Sequence, residues 1–110
     1  MKEVIEFFLS KKLIFKKLRQ IDNKKLSTRK RIEIYEGVDL HGNYAALFIL
    51  TQKSRFLRKN ADEIEELFER LKILQDHNFK KKLFFYDMPF CKKAKLLMKE
   101  RGWRLIDAAS

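Results

Sequence analysis

The sequence predicts a single α/β domain with a mixed sheet of about four strands, and three observations lead there. An apolar stripe at helical spacing opens the chain, two strand-patterned runs flank His41-Gly42-Asn43, and the second half twice follows a helical segment with a short apolar strand. At 110 residues there is room for one hydrophobic core and not for two. Hydrophobic residues at 45% can fill that core and charged residues at 37% can coat it, while three glycines and one proline give no basis for a long disordered stretch. The single domain, residues 1–110, divides into a basic N-terminal helix and connector over 1–28 and a sheet core over 29–107.

Val4, Ile5, Phe8, Leu9, Leu13 and Leu18 recur every three or four residues, with Lys11, Lys12, Lys16 and Lys17 largely on the other side. That spacing predicts an amphipathic helix over about residues 2–20. Asp22-Asn23-Lys24-Lys25 reads as a polar connector, and Arg29-Lys30-Arg31 leads into the sheet. Ile32, Ile34, Val38 and Leu40 then alternate with Glu33, Tyr35, Gly37 and Asp39, the period of a strand. After the turn, Tyr44 to Leu50 is almost wholly apolar, as a central strand covered on both faces must be. The two runs form a β-hairpin.

Asn60 and Glu63 have the spacing of a capping box, and Ile64, Leu67, Phe68, Leu71 and Leu74 share one face of a helix over about 61–75. Asp62, Glu63, Glu65, Glu66 and Glu69 suit its N-terminal dipole and make its outer face acidic. Leu83-Phe84-Phe85-Tyr86 is a short buried strand. Pro89 opens a third helix through Arg101, with Cys91, Ala94, Leu97 and Met98 inward and Gly102 at its C-terminal cap. Trp103 to Ile106 closes the chain as a strand, and right-handed crossovers make the late strands parallel.

The formal charge of +11 is unevenly spread. Residues 1–32 hold eleven Lys/Arg against three acids, residues 33–78 six against nine, and residues 79–110 nine against three. Two basic flanks around an acidic middle point to a polyanion such as DNA or RNA, because a positive face attracts phosphates and releases their counterions. Lysine supplies 18 of the 26 positive charges, which is also the composition of a merely solvated basic surface. No apolar run approaches the roughly 18 residues of a membrane span, and the N-terminus carries Glu3 and Glu6 where an export signal wants a basic and then an uncharged stretch. Cys91 is the one cysteine, so an internal disulfide is excluded, and no Cys/His cluster has zinc spacing. These points place the chain in the cytoplasm, without a membrane partner.

Gly37-Val38-Asp39-Leu40, Thr51-Gln52-Lys53 at the end of the apolar strand, and Phe90, Ala94 and Trp103-Arg104-Leu105-Ile106-Asp107 carry a wider resemblance. Over residues 30–107 the chain resembles the restriction-endonuclease-like core, and most of all its Mrr-type branch. The resemblance implies metal-assisted phosphodiester hydrolysis, with Asp39 as the Mg²⁺ ligand and Lys53 as the catalytic lysine. Thr51 stands where that pattern has a carboxylate or glutamine, so the motif is incomplete. A tight turn at 41–43 would pair residues whose numbers sum to about 84, placing Asp39 opposite Ala45 and Lys53 opposite Arg31. Those two levels lie roughly 26 Å apart at about 3.3 Å per residue. An active nuclease then needs either a wider loop or Glu33, opposite Thr51, as the metal ligand in place of Asp39.

Phe85 to Lys95, with Met88-Pro89-Phe90-Cys91 at its centre, locally resembles the strand, active-site turn and helix of glutaredoxins. The first of that family's two cysteines is Met88 here, which forms no thiolate, so dithiol exchange is excluded. Cys91 then reads as a small residue near a helix start. Arg29, Lys30, Arg31, Lys53, Arg55, Arg58 and Lys59, the last four interleaved with Phe56 and Leu57, are the candidate nucleic-acid contacts. Phe56 could stack on a base or plug the sheet. The expectation is a basic nucleic-acid-binding domain on a catalytically degenerate nuclease-like fold, with no cofactor. A Mg²⁺-dependent nuclease and a non-enzymatic adaptor are the alternatives, the latter using the acidic helix 61–75 for a homodimer or another protein.

Overall fold

The apolar run predicted to be a central strand occupies the middle of a five-stranded sheet. A computed structural model describes residues 2–28, 31–76 and 78–108. Its elements are α1 (Lys2–Ser10), β1 (Phe15–Ile21), β2 (Ile32–Asp39), β3 (Tyr44–Leu50), α2 (Arg58–Gln75), β4 (Lys81–Tyr86), α3 (Lys92–Glu100) and β5 (Arg104–Asp107), with a 3-10 turn, Asn23–Leu26, between β1 and β2. The strands stand in chain order. β1, β2 and β3 form an antiparallel meander, and β3, β4 and β5 run parallel, connected through α2 and α3. Ile34, Phe48, Leu50, Phe84 and Trp103 pack with α2 and α3 on one face. Phe8 of α1 packs with Tyr35, Leu47 and Phe85 on the other. No helix among the described residues is long and apolar enough to cross a membrane.

The hairpin lies where its alternation predicts it, but the helix predicted over residues 2–20 is a short helix followed by an edge strand, which adds a fifth strand to the four expected. The chain leaves α1 through Lys12 at φ 63, with Lys12 N–H donating to Leu9 O at 2.9 Å and Leu13 N–H to Phe8 O at 2.9 Å. That bond pair is a Schellman end. β1 then carries a bulge between Phe15 and Lys17. A bulge shifts the phase of a strand by one residue, so Phe15 and Leu18, three apart, both join the cluster beneath α1. Three-residue spacing mimics a helix in sequence. Lys16, Lys17 and Arg19 on this edge disfavour pairing with a further strand.

α2 begins at Arg58, three residues before the expected start, with Leu57 as its N-cap. Asn60 therefore sits inside the first turn: its Oδ1 accepts from Leu57 N–H at 2.8 Å, and its Nδ2 donates to Glu63 at 3.1 Å. The acidic face of α2 is largely engaged within the molecule. Asp62 pairs with Arg101 at 2.8 Å, Glu66 with Arg70 at 2.6 Å and Glu69 with Lys72 at 2.9 Å. Glu65 accepts from Trp103 Nε1 at 3.0 Å and lies 3.5 Å from Lys82, whose ammonium stands over the rings of Phe68 and Trp103. Burial leads the downward shift of the Lys82 pKa, and Glu65 opposes it.

Gly37 is buried in β2 because Phe15 packs directly over it. A Cβ there would stand 2.9 Å from Phe15 Cδ1 and 3.2 Å from Leu47 Cδ1. Overpacking of this kind costs about 1–3 kcal/mol. Gly37→Ala should therefore lower stability by that order in urea unfolding, and by clearly less in a Phe15→Ala background. Equal losses in both backgrounds would show that the contact with Phe15 is not the cause.

Candidate nucleic-acid interface

The β2–β3 turn decides what Asp39 can do. Asp39 N–H donates to Asn43 O at 3.0 Å and Gly42 N–H to Asp39 O at 3.1 Å, with Gly42 at φ 84, so the loop contains three residues, 40–42. Val38 pairs with Tyr44 and Gly37 with Ala45, which moves the register by two residues from the one expected. Asp39 lies opposite Asn43 rather than Ala45, and extending the ladder beyond Ile32 and Leu50 brings Arg31 beside Thr51 rather than Lys53. Asp39 Oδ1 accepts from the N–H groups of His41 and Asn43, both at 2.9 Å, and Oδ2 meets Lys81 Nζ at 2.7 Å. Both oxygens of Asp39 brace the turn against the start of β4.

Lys53 lies past the other end of β3. From the level of Asp39 to Leu50 is about 23 Å at roughly 3.3 Å per residue, and Lys53 lies further along the chain, so Asp39 and Lys53 do not share a site. A metal ligand pair on this hairpin requires acids that are cross-strand neighbours. On the face toward α2 and α3 the pairs are instead Ile34 with Phe48 and Ile32 with Leu50, all buried. Glu36 faces Ala46 and accepts from Arg19 and Gln75, each at 2.7 Å. Glu33 faces Ile49, not Thr51, and is exposed at the end of the sheet that also carries Thr51-Gln52-Lys53. Among the described residues no group of three His, Cys, Asp or Glu side chains could hold a metal ion. Glu33 and Asp39, the two acids that the nuclease resemblance would use, lie near opposite ends of β2 and are not brought together.

Arg31, Lys53, Arg55, Arg58 and Lys59 are exposed, and all belong to the end of the sheet where β2 begins and β3 finishes. No ion pair to a described residue engages any of the five, whereas Arg19, Arg70, Lys72, Lys81, Lys82 and Arg101 are paired. Arg29 and Lys30 lie outside the described residues, as does His77. The loop that carries these cations is held by Phe56, which is fully buried with its ring 4.5 Å from that of Phe90 and 5.4 Å from that of Phe84. Phe56 N–H donates to Pro89 O at 2.8 Å and Cys91 N–H to Phe56 O at 3.0 Å. Phe56 is thus the plug of the sheet rather than a surface for a base, and it ties the β3–α2 loop to the β4–α3 loop.

Cys91 is the N-cap of α3, beginning that helix at Lys92 rather than at Pro89. The N–H groups of Ala94 and Lys93 hold its thiol pKa below the ordinary value, with the charges of Arg55 and Arg58 adding to the effect. Met88, at the place of a glutaredoxin's first cysteine, is buried in the core and supplies packing.

Lys81, then the N–H of Asn43, hold the Asp39 carboxyl well below the usual carboxylate range. A carboxyl depressed in the folded state contributes stability above its unfolded pKa of about 4, and that contribution is lost as pH falls further. Asp39→Asn should therefore unfold more readily than wild type near neutral pH, and the gap should narrow toward pH ~2. Urea midpoints at several pH values measure this; a gap that widens in acid would contradict it.

No family model matches this chain, and no curated protein matches it. Solved structures do. A repair endonuclease from Pyrococcus abyssi superposes with a TM-score of 0.55 at 18% identity, over 97% of this chain and 44% of that one. EndoMS in its apo form superposes with the same TM-score at 17% identity, again over 97% and 44%. The chain spans less than half the length of either protein. At such identity the likeness shows architecture alone: the chain shares an α/β fold with part of each of these two proteins.

Proposed function

We propose that this domain binds DNA or RNA through the basic end of its sheet and does not cleave it. The observation that carries the reading is the cluster of Arg31, Lys53, Arg55, Arg58 and Lys59, exposed and free of ion pairs to described residues, at one end of a nuclease-like sheet. Guanidinium and ammonium groups without carboxylate partners can directly replace the counterions condensed on a nucleic acid's phosphates. Arg29 and Lys30 precede Arg31 in the chain and would extend the same surface. The contacts are to backbone phosphates, since the one aromatic ring within the run is buried, so binding should discriminate weakly between sequences.

Nuclease activity is the second reading, and it depends on Glu33 as the Mg²⁺ ligand with Lys53 as the catalytic lysine, because Asp39 is committed to Lys81. Use of the acidic face of α2 as a docking surface for a second copy or another protein has less behind it, because its carboxylates already meet Arg101, Arg70, Lys72 and Lys82.

Fluorescence anisotropy with single- and double-stranded oligonucleotides over rising salt tests the proposal. The logarithm of affinity should fall linearly with the logarithm of salt concentration. Arg55→Ala with Arg58→Ala should reduce the slope by about 1.4 on single strands and about 1.8 on duplex DNA, two phosphate contacts' worth. Absence of binding at low salt defeats the idea. Plasmid incubated with Mg²⁺ should stay intact, and cleavage that disappears in Lys53→Ala would establish the second reading instead.

A further inference from the structure

At the opposite end of the sheet, on the face covered by α1, an open cleft of about 600 Å³ lies between the chain leaving α1, the β2–β3 turn and the starts of β4 and β5. That volume is ordinary for a small-molecule site. Lys12, Lys80 and Arg104 line it, all exposed and none ion-paired to a described residue. Asp39 is the one acid in the lining, and its charge is met by Lys81 at 2.7 Å. The cleft therefore keeps three positive charges that no described residue opposes, on a braced frame. Ile14 and Leu40 line it as well, 56% and 63% exposed, and offer apolar surface beside those cations.

The backbone at Lys12 is an independent observation. α3 ends in the same bond pattern as α1, with Gly102 N–H donating to Lys99 O at 3.0 Å and Trp103 N–H to Met98 O at 3.1 Å. There the left-handed position is held by Gly102 at φ 89, the residue such an ending favours. α1 places Lys12 in that position at φ 63. A left-handed lysine opposes local backbone preference, and this one contributes to a cleft already rich in positive charge. Residues held in such conformations cluster where a ligand is bound.

We propose that the cleft binds a nucleoside monophosphate unit, with its phosphate on Lys12, Lys80 and Arg104 and its base against Ile14 and Leu40. Three cations suit a dianionic phosphomonoester better than the single charge of an internal phosphodiester. The unit is either a free nucleotide or the phosphorylated end of a strand. The inference does not depend on strand binding at the other end of the sheet.

Isothermal titration with adenosine 5′-monophosphate, adenosine, inorganic phosphate and an octathymidylate bearing a 5′-phosphate or a 5′-hydroxyl tests it. The monophosphate should bind at least about tenfold more tightly than adenosine or phosphate alone. Lys12→Gly should melt at or above the wild-type temperature, since it relieves the backbone, and yet lose about tenfold in affinity for the monophosphate. Arg104→Ala should weaken binding comparably, while Arg55→Ala with Arg58→Ala should leave it unchanged. In the Arg55→Ala with Arg58→Ala protein, tighter binding of the 5′-phosphorylated than of the 5′-hydroxyl oligonucleotide assigns the cleft to strand ends, and equal binding of the two beside retained monophosphate binding assigns it to a free nucleotide. The proposal is overturned by undetectable binding at millimolar monophosphate, by adenosine or phosphate binding equally well, or by unchanged affinity in Lys12→Gly. Loss of salt-dependent strand binding in the Arg55/Arg58 variant is a separate outcome that bears only on the basic end.

Discussion

Everything in this domain is hung on the pairing of β2 with β3. β3 is covered on both faces, with Phe48 and Leu50 toward α2 and α3 and Leu47 toward α1, and it carries β2 antiparallel on one side and β4 parallel on the other. Because side chains alternate along a strand, the register of this pair determines which residues meet across it. The three-residue turn sets that register, and the Asp39 carboxylate, hydrogen-bonded to His41 and Asn43 and paired with Lys81, holds the turn in place. A shift of two residues from a tighter or wider turn would leave each side chain on its own face but give it different neighbours. Whether two acids could share an ion on this hairpin is therefore a property of the loop.

That register also accounts for the chemistry the sheet offers. On the face of this pair toward α2 and α3 hydrocarbon faces hydrocarbon, and the acids of β2 are either exposed, as Glu33 is, or already hydrogen-bonded, as Glu36 and Asp39 are. Charge is left over at the two ends of the strands instead. One end gathers the cations of the β2 start and the β3–α2 loop; the other gathers Lys12, Lys80 and Arg104 around a cleft. Between them, α2 is neutralised through its own ion pairs and those to Arg101 and Lys82. Exposed pairs of this kind add little stability each. Their larger effect here is on the potential, since they remove the acidic stripe suggested by composition and leave the basic ends unopposed.

Period and composition were enough to reach the hairpin, the long amphipathic helix, the last helix with Gly102 at its end, and a mixed sheet with parallel late strands. They failed at residues 11–20, where a bulge in β1 gives Phe15 and Leu18 the spacing of a helix. Local capping was misplaced for a related reason: Asn60 and Glu63 do bond to each other, but inside the first turn of α2, after a start fixed by Leu57 and the buried Phe56. Of the candidate site residues, the cations of the β3–α2 loop were visible as a run, while Lys12, Lys80 and Arg104 were not. They come from three separate elements and meet only when α1 turns back at Lys12.

The sequence by itself determined the α/β class, the buried central strand and the positive charge, because each follows from which residues are present and how they alternate. Tertiary structure alone decided that Asp39 pairs with Lys81, that Phe56 is a plug, and which cations have no ion pair to a described residue. Those outcomes depend on strand register and on contacts between residues far apart in the chain, such as Asp39 with Lys81 and Phe56 with Phe90, and no local pattern encodes such contacts.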